Sequence, residues 1–197
     1  MSASKVAILI DGGHLRVLAK KAGFDYNPDY IEKVAHACVN KDEKILRILY
    51  YDCAPYEGDL KLPVSGTKKN YAKSDAWMGE LAQKDLFAVR KGVLKFRGWT
   101  PKKVPVSPIS INDSDFSPNF EQKGVDMRIG LDVAYYSLNH SVDRLILLSG
   151  DTDCVPAMKL ARKEGIQIVL ITFPKRHCSH ELLWHSDFKR EIVWPVQ

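Results

Sequence analysis

The chain has 197 residues, 45% of them hydrophobic, and a formal net charge of +5. That length and apolar share suit one globular domain with a sizeable core and exclude a disordered or fibrous chain. The positive balance suits an anionic partner, nucleic acid among others, without specifying one.

The opening run MSASKVAILID is too short for a secretory core and far below the ~20 apolar residues that span a bilayer. A soluble, cytoplasmic protein with no membrane partner is expected. Cys38, Cys53, Cys154 and Cys178 are widely spaced with no C-x-x-C pair, which argues against a disulfide framework or zinc ribbon and fits a reducing cytosol.

VAILID (6–11) predicts a first strand closed by Asp11. The following Gly12-Gly13 lacks the third glycine of a dinucleotide fingerprint, and no G-x-x-x-x-G-K-[ST] occurs, so a nucleotide-dependent ATPase or dehydrogenase is not expected. The two glycines read as a tight turn or a close backbone approach. NPDYIEKVAHACV (27–39) predicts a helix with Asn27 as N-cap and Pro28 at its first position, and with Ile31, Val34, Ala35 and Cys38 on one face. ILRILYYD (45–52) predicts a second strand.

The proline-bearing, polar stretches 54–69 and 97–124 leave little room for regular structure and read as irregular insertions. Running into the second of them, VRKGVLKFRGWTPKK (89–103) alternates apolar and basic positions, bringing Arg90, Lys95 and Arg97 near Phe96 and Trp99. Such a ribbon can follow a phosphate backbone while Trp99 stacks on a base, or it is simply a half-buried strand with a solvated face. Other basic positions are Lys68, Lys69, Lys73, Lys175 and Arg176.

KGVDMRIGLDVAYYSL begins a helix with Asp126 in its first turn. Asp132, six residues on, falls off the Asp126 face at ~100° per residue and reads as a supporting or solvated charge. RLILLSGD (144–151) and IQIVLITF (166–173) predict two buried strands around a helix over 152–164, with Pro156 in its first turn and Gly165 as its stop. The alternation of strands and helices predicts an α/β fold with a central, mostly parallel sheet. Near the end His177, Cys178, His180 and His185 match no standard zinc spacing, whereas Ser179 with Glu181 and Leu182 predicts the capped start of a short helix.

Acidic residues stand where these elements begin and end: Asp11 and Asp151 at strand ends, Asp153 and Asp126 at helix starts. In open α/β sheets such positions converge on the crevice beyond the strand ends. Singly, each aspartate is an ordinary helix cap. Together, carboxylates ~4 Å apart repel by ~4 kcal/mol per pair at an effective dielectric near ~20, so a convergent group calls for protons or a divalent cation. An oxygen-only donor set selects Mg²⁺ or Mn²⁺ over zinc. Ser149 and Thr152 flank the acidic pair and either orient its carboxylates or serve as turn and cap residues.

Four stretches in this order, ILIDGGHL, KGVDMRIGLDVA, ILLSGDTDCVPAMKLARKEGIQI and CSHELLWHSDF, resemble the NYN-domain family of the LabA-like type, within the PIN-like nuclease superfamily. The resemblance runs from about residue 5 to about residue 194. It implies a three-layer α/β/α fold, one domain over 1–197 with the two insertions. It also implies a ribonuclease that hydrolyses RNA phosphodiester bonds in line, with Mg²⁺ or Mn²⁺ polarising the scissile phosphate. Carried over by motif, the metal and catalytic positions are Asp11, Asp126, Asp151 and Asp153, with Asp132 a further acid. Lys123, just before Asp126, is placed to touch phosphate or is a solvated loop lysine.

The family's asparagine three residues after the first aspartate is replaced here by His14, which can still hydrogen-bond or contact phosphate. The expected substrate is single-stranded or structured RNA, and exposed sheet edges leave room for a homodimer. Two rivals stand beside this reading. One is a non-catalytic RNA-binding or regulatory protein that keeps the acidic pocket. The other is a metal-dependent phosphatase or DNA nuclease, because fold alone does not determine chemistry.

Overall fold

The computed structural model describes residues 3–105 and 111–196. In chain order the elements are β1 (Ser4–Asp11), α1 (Gly12–Lys21), α2 (Pro28–Ala37), β2 (Glu43–Cys53), β3 (Glu57–Lys61), β4 (Lys68–Ala72), α3 (Ala76–Gln83), β5 (Phe87–Pro101), β6 (Phe116–Lys123), α4 (Val125–Leu138), β7 (Arg144–Leu148), α5 (Val155–Lys163), β8 (Gln167–Thr172), α6 (His180–Trp184) and β9 (Phe188–Glu191). Short 3-10 turns occupy Asp113–Asp115 and Thr152–Cys154. A seven-stranded, mostly parallel sheet in the order β6-β5-β2-β1-β7-β8-β9 is flanked by helices, and β3 and β4 form a separate pair.

Two compact units divide the chain. One comprises Met1–Asp52, Ala76–Lys91 and Val125–Gln197, the other Cys53–Asp75 and Gly92–Gly124. In the first unit β1 pairs in parallel with β2 and β7, β7 with β8, and β8 with β9. Val6 through Ile10 of β1 are each 0% exposed, as expected of a continuous apolar run covered on both sheet faces. Val6, Ile8 and Ile10 share a core with Leu15 and Ala19 of α1 and with Ile31 and Val34 of α2. Ala7 and Leu9, which alternate to the opposite face, are equally buried.

Local chemistry explains the helix starts. Asn27 caps α2 by accepting the Tyr30 N–H at 2.9 Å, with Pro28 in the first turn. The expected helix over 152–164 is instead a 3-10 turn followed by α5, and Gly165 after it takes φ 79°. Ser179 caps α6, accepting the Glu181 N–H at 3.3 Å. All four cysteines are free thiols. Among the described residues no helix is long and apolar enough to cross a membrane.

Regular structure extends into the stretches read as irregular, which corrects that expectation. β3 and β4 pair antiparallel from Glu57↔Ala72 to Lys61↔Lys68. The turn between them is closed by Leu62 N–H to Thr67 O at 2.9 Å, and Asp113 Oδ1 accepts the Val64 and Ser65 N–H groups. β5 and β6 also pair antiparallel. Pro118 is tolerated within β6 because that strand lies at the sheet edge, where a missing N–H breaks no second ladder. Residues 106–110 of the 97–124 stretch lie outside the described residues.

Candidate metal centre

Strand order reverses around β1, which has β2 on one side and β7 on the other. The carboxyl ends of β1 and β7 therefore open on one crevice. Asp11 ends β1 and caps α1, accepting the His14 N–H on Oδ1 at 3.0 Å. Beyond β7, Ser149 is 3% exposed and bridges the two strand ends. Its hydroxyl donates to Asp11 Oδ2 at 3.3 Å and accepts the Asp151 N–H at 3.1 Å. Asp151 in turn caps the 3-10 turn, with Oδ1 accepting the Asp153 N–H at 2.9 Å.

The first turn of α4 supplies Asp126. Asp126, Asp151 and Asp153 each offer a carboxylate oxygen, and these atoms lie within 4.8 Å of one another. Two oxygens on opposite sides of one Mg²⁺ stand ~4.2 Å apart, so the spacing is close to what one small cation needs. The all-carboxylate donor set is the hard chemistry that Mg²⁺ or Mn²⁺ prefers. Burial, then the charges of Asp151, Asp11 and Asp153, push the Asp126 pKa above the ordinary carboxylate value. The repulsion that a cation would offset is thus present in the fold.

Asp11 stands beside this trio rather than within it. Both of its oxygens are engaged, one by His14 and one by Ser149. Burial raises its pKa, against the hydrogen bonds from His14 and Ser149, and the nearby Asp52 charge adds to the rise. Thr152 opens the 3-10 turn between Asp151 and Asp153.

The His14 imidazole lies over Gly150: a Cβ built there would meet His14 Cε1 at 2.4 Å, so residue 150 has no room for a side chain while the ring stays. His14, Ser149 and Gly150 also border a small pocket with Thr172, Arg176 and His177. Burial lowers the His14 pKa, partly countered by the charges of Asp11 and Asp151. The ring therefore favours its neutral form.

Asp132 is not brought to the acidic trio. Its Oδ2 accepts from Tyr51 Oη at 2.9 Å and from Arg90 Nε at 3.0 Å, so helical spacing from Asp126 turns it to a different network. Arg90, read as a phosphate contact, is committed to that ion pair. Lys123 and Arg97 lie in the second unit, where both pair with Glu121. Trp99 is in the same unit, its indole N–H donating to Lys61 O at 3.0 Å.

Asp52 escaped the sequence reading. It lies near the end of β2, 1% exposed, and Arg16 of α1 grips its carboxylate with two nitrogens. Tyr26 Oη donates to Gly12 O at 3.1 Å, and the single Tyr50 Oη proton is shared between Tyr26 Oη at 2.6 Å and Asp52 Oδ2 at 3.1 Å. A Cβ on Gly12 would fall 2.3 Å from Tyr50 Oη, which accounts for glycine there. The available signal was YYDC, a strand ending in aspartate as VAILID does.

The NYN domain family model matches residues 5–188. No curated protein matches significantly. Among solved structures the chain is similar to the crystal structure of a Vibrio parahaemolyticus protein of unknown function, at 15% identity and a TM-score of 0.56, with 96% of this chain and 93% of that chain covered. At that identity the likeness concerns the fold alone.

Proposed function

This chain belongs to the NYN-domain family, within the PIN-like nuclease superfamily, and on that premise we propose that it is a metal-dependent ribonuclease hydrolysing RNA phosphodiester bonds. The observation that carries the reading is the meeting of Asp126, Asp151 and Asp153 within 4.8 Å at the sheet's crevice. These three would hold Mg²⁺ or Mn²⁺. When bound, the cation supplies Lewis-acid polarisation of a phosphate oxygen and lowers the pKa of water at the reacting phosphorus.

The chain's own groups do the positioning. The Ser149 hydroxyl ties the Asp11 carboxylate to the backbone of Asp151. The cap from Asp151 to the Asp153 N–H sets the turn that carries both acids. Asp11 adds negative charge beside the trio and holds the start of α1. His14, in its neutral form over Gly150, borders the same crevice and offers a ring nitrogen to a phosphate or its water.

The test incubates purified protein with labelled single-stranded and structured RNA in Mn²⁺, Mg²⁺ or EDTA, beside Asp151→Asn. Cleavage is expected only with cation and is expected to fall at least a hundredfold in Asp151→Asn, with an unchanged circular dichroism spectrum. Calorimetric Mn²⁺ titration should show weaker binding in the same variant. Parental cleavage by Asp151→Asn, or cleavage indifferent to EDTA, would refute the reading. RNA binding without turnover would favour a regulatory protein in which His14 stands at the asparagine position.

A further inference from the structure

The second unit has a face that the acidic trio does not use. We propose that it binds an unpaired stretch of nucleic acid, stacking bases against Trp99 and Tyr71 while Lys69 and Lys102 take the phosphates. That the strand is RNA rests on the proposed nuclease function; the stacking and the charge argument do not.

The face is assembled by a backbone irregularity. Phe96 and Trp99 are three residues apart, so strict alternation along β5 would put them on opposite sides. The β5–β6 register shifts between them, and Gly98 there takes φ 111°. A bulge with glycine in the left-handed region turns the following side chain onto the other face. Phe96 and Trp99 consequently meet edge to face with centroids 5.6 Å apart. Phe120 lies 5.9 Å from Phe96 and 6.1 Å from Tyr71, so the aromatic group reaches from the β5–β6 ribbon to β4.

Trp99 and Tyr71 line a groove of about 520 Å³ with Lys69, Lys102, Phe116 and Pro118. That volume is within the ~300–1,000 Å³ of pockets that hold small ligands and is large enough for a base. The half-buried Trp99 is fixed by its indole N–H on Lys61 O, which orients the ring as a rigid wall.

Charge selects the occupant. In the segments Cys53–Asp75 and Gly92–Gly124, Lys and Arg outnumber Asp and Glu by nine to six. Glu121 is paired with Arg97 and Lys123, whereas Asp59, Asp113 and Asp115 accept hydrogen bonds from neutral N–H groups and keep their charge, Asp113 on the groove lining itself, turned to the Val64 and Ser65 N–H groups. Among the described residues Lys102 forms no ion pair, and Lys69 lies 5.5 Å from the centroid of the Tyr71 ring. A groove with aromatic walls, the Lys69 ammonium over the Tyr71 ring and the Lys102 ammonium outside any ion pair suits stacked bases joined by phosphates. A duplex, whose bases are already stacked, gains little from it.

The experiment uses the full chain in EDTA, which removes cleavage, and reads fluorescence anisotropy of fluorescein-labelled oligouridine about ten nucleotides long. Oligothymidine and an RNA duplex of the same length serve as comparison probes. The single strands should bind at least tenfold more tightly than the duplex. Trp99→Ala should weaken binding about tenfold, the loss typical of one stacking platform. Since that substitution also removes the bond to Lys61, the Lys69→Ser/Lys102→Ser double variant provides a check that leaves the aromatic group intact. It should flatten the dependence of log affinity on log salt by about 1.4, because two phosphates of the single strand are no longer neutralised.

Equal affinity for duplex and single strand, or an unchanged salt slope in the lysine variant, would overturn the proposal. Failure of the single strands to bind would do so too. Cleavage lost with binding kept would count against the nuclease reading alone, and binding lost with cleavage kept against this one alone.

Discussion

Ser149 is one hydroxyl on which two carboxylates depend. Its donor proton goes to Asp11 and its lone pair receives the Asp151 N–H, at a position 3% exposed. Ser149→Ala removes both bonds and leaves a half-buried N–H and a half-buried carboxylate each short of a partner, at a cost of about 1–3 kcal/mol. We expect a urea midpoint lowered to match. We also expect about tenfold weaker Mn²⁺ binding by calorimetry, the usual penalty when a group supporting metal ligands is lost. Ser149→Thr keeps the hydroxyl and should restore the cation affinity; if alanine binds Mn²⁺ as the parent does, the bridge has no part in shaping the site. The positions of Asp126, Asp151 and Asp153 at element starts could be read from the chain, because capping aspartates announce themselves. Their meeting was expected only from the general rule for open sheets and from the family resemblance, because the strand order around β1 that brings them together is set by long-range packing that leaves no local mark. Asp132 shows the same limit in reverse: its spacing placed it off the Asp126 face, but not against Tyr51 and Arg90.

At the scale of elements, the strands that declared themselves are those buried on both faces. β1, β7 and β8 are continuous apolar runs, and α2 carries both a cap and a proline at its start. α1 was hidden because it begins with two glycines, poor helix formers that propensity alone would assign to a turn. What holds it is tertiary: the Asp11 cap, Tyr26 on the Gly12 carbonyl and the ion pair from Arg16 to Asp52 of β2. β5 was read as a ribbon from its alternating pattern, whereas β3, β4 and β6 were hidden because their outward residues are polar and Pro118 interrupts β6. The Arg16–Asp52 pair is therefore the testable fastening of α1. The Asp52 side chain is 0% exposed, so Arg16→Ala takes the ion-pair partner from a buried charge, which typically costs about 3–5 kcal/mol. For a chain of this size that lowers the thermal midpoint by roughly 10 °C. Arg16→Met with Asp52→Leu, which removes both charges, should recover most of the loss. A single Arg16→Ala variant as stable as the parent would mean that α1 is held by its apolar face alone.

For the molecule as a whole, the pH dependence of stability joins two acidic centres that pull in opposite directions. Glu43 opens β2, and its side chain is 0% exposed. Burial opposes its ionisation, but hydrogen bonds from Arg190, from the Asn40 N–H and from Arg144 outweigh burial and hold its pKa down at about 2. The guanidiniums belong to β9 and β7, at 2.8 and 2.9 Å for Arg190 and 3.0 Å for Arg144, so this one carboxylate ties three strands of the sheet. An unfolded glutamate titrates near ~4.3, so its depressed folded value contributes ~3 kcal/mol that is fully present above that pH. The contribution drains away as pH falls from ~4.3 through about 2. The metal centre has the opposite sign. Asp126 and Asp11 have raised pKa values, so the folded state is favoured while they are protonated, and stability declines as pH rises through their folded values. A bound cation offsets that decline by stabilising the ionised form. Urea denaturation from pH 2 to 8 in EDTA and in Mn²⁺ separates the two centres. Glu43→Gln should lose about 3 kcal/mol at pH 7 and show a shallower acid limb than the parent. Mn²⁺ should stabilise the protein increasingly as these carboxylates ionise with rising pH and leave the acid limb unmoved. An acid limb identical in parent and Glu43→Gln would remove Glu43 as the fastening of the sheet, whatever the metal centre does.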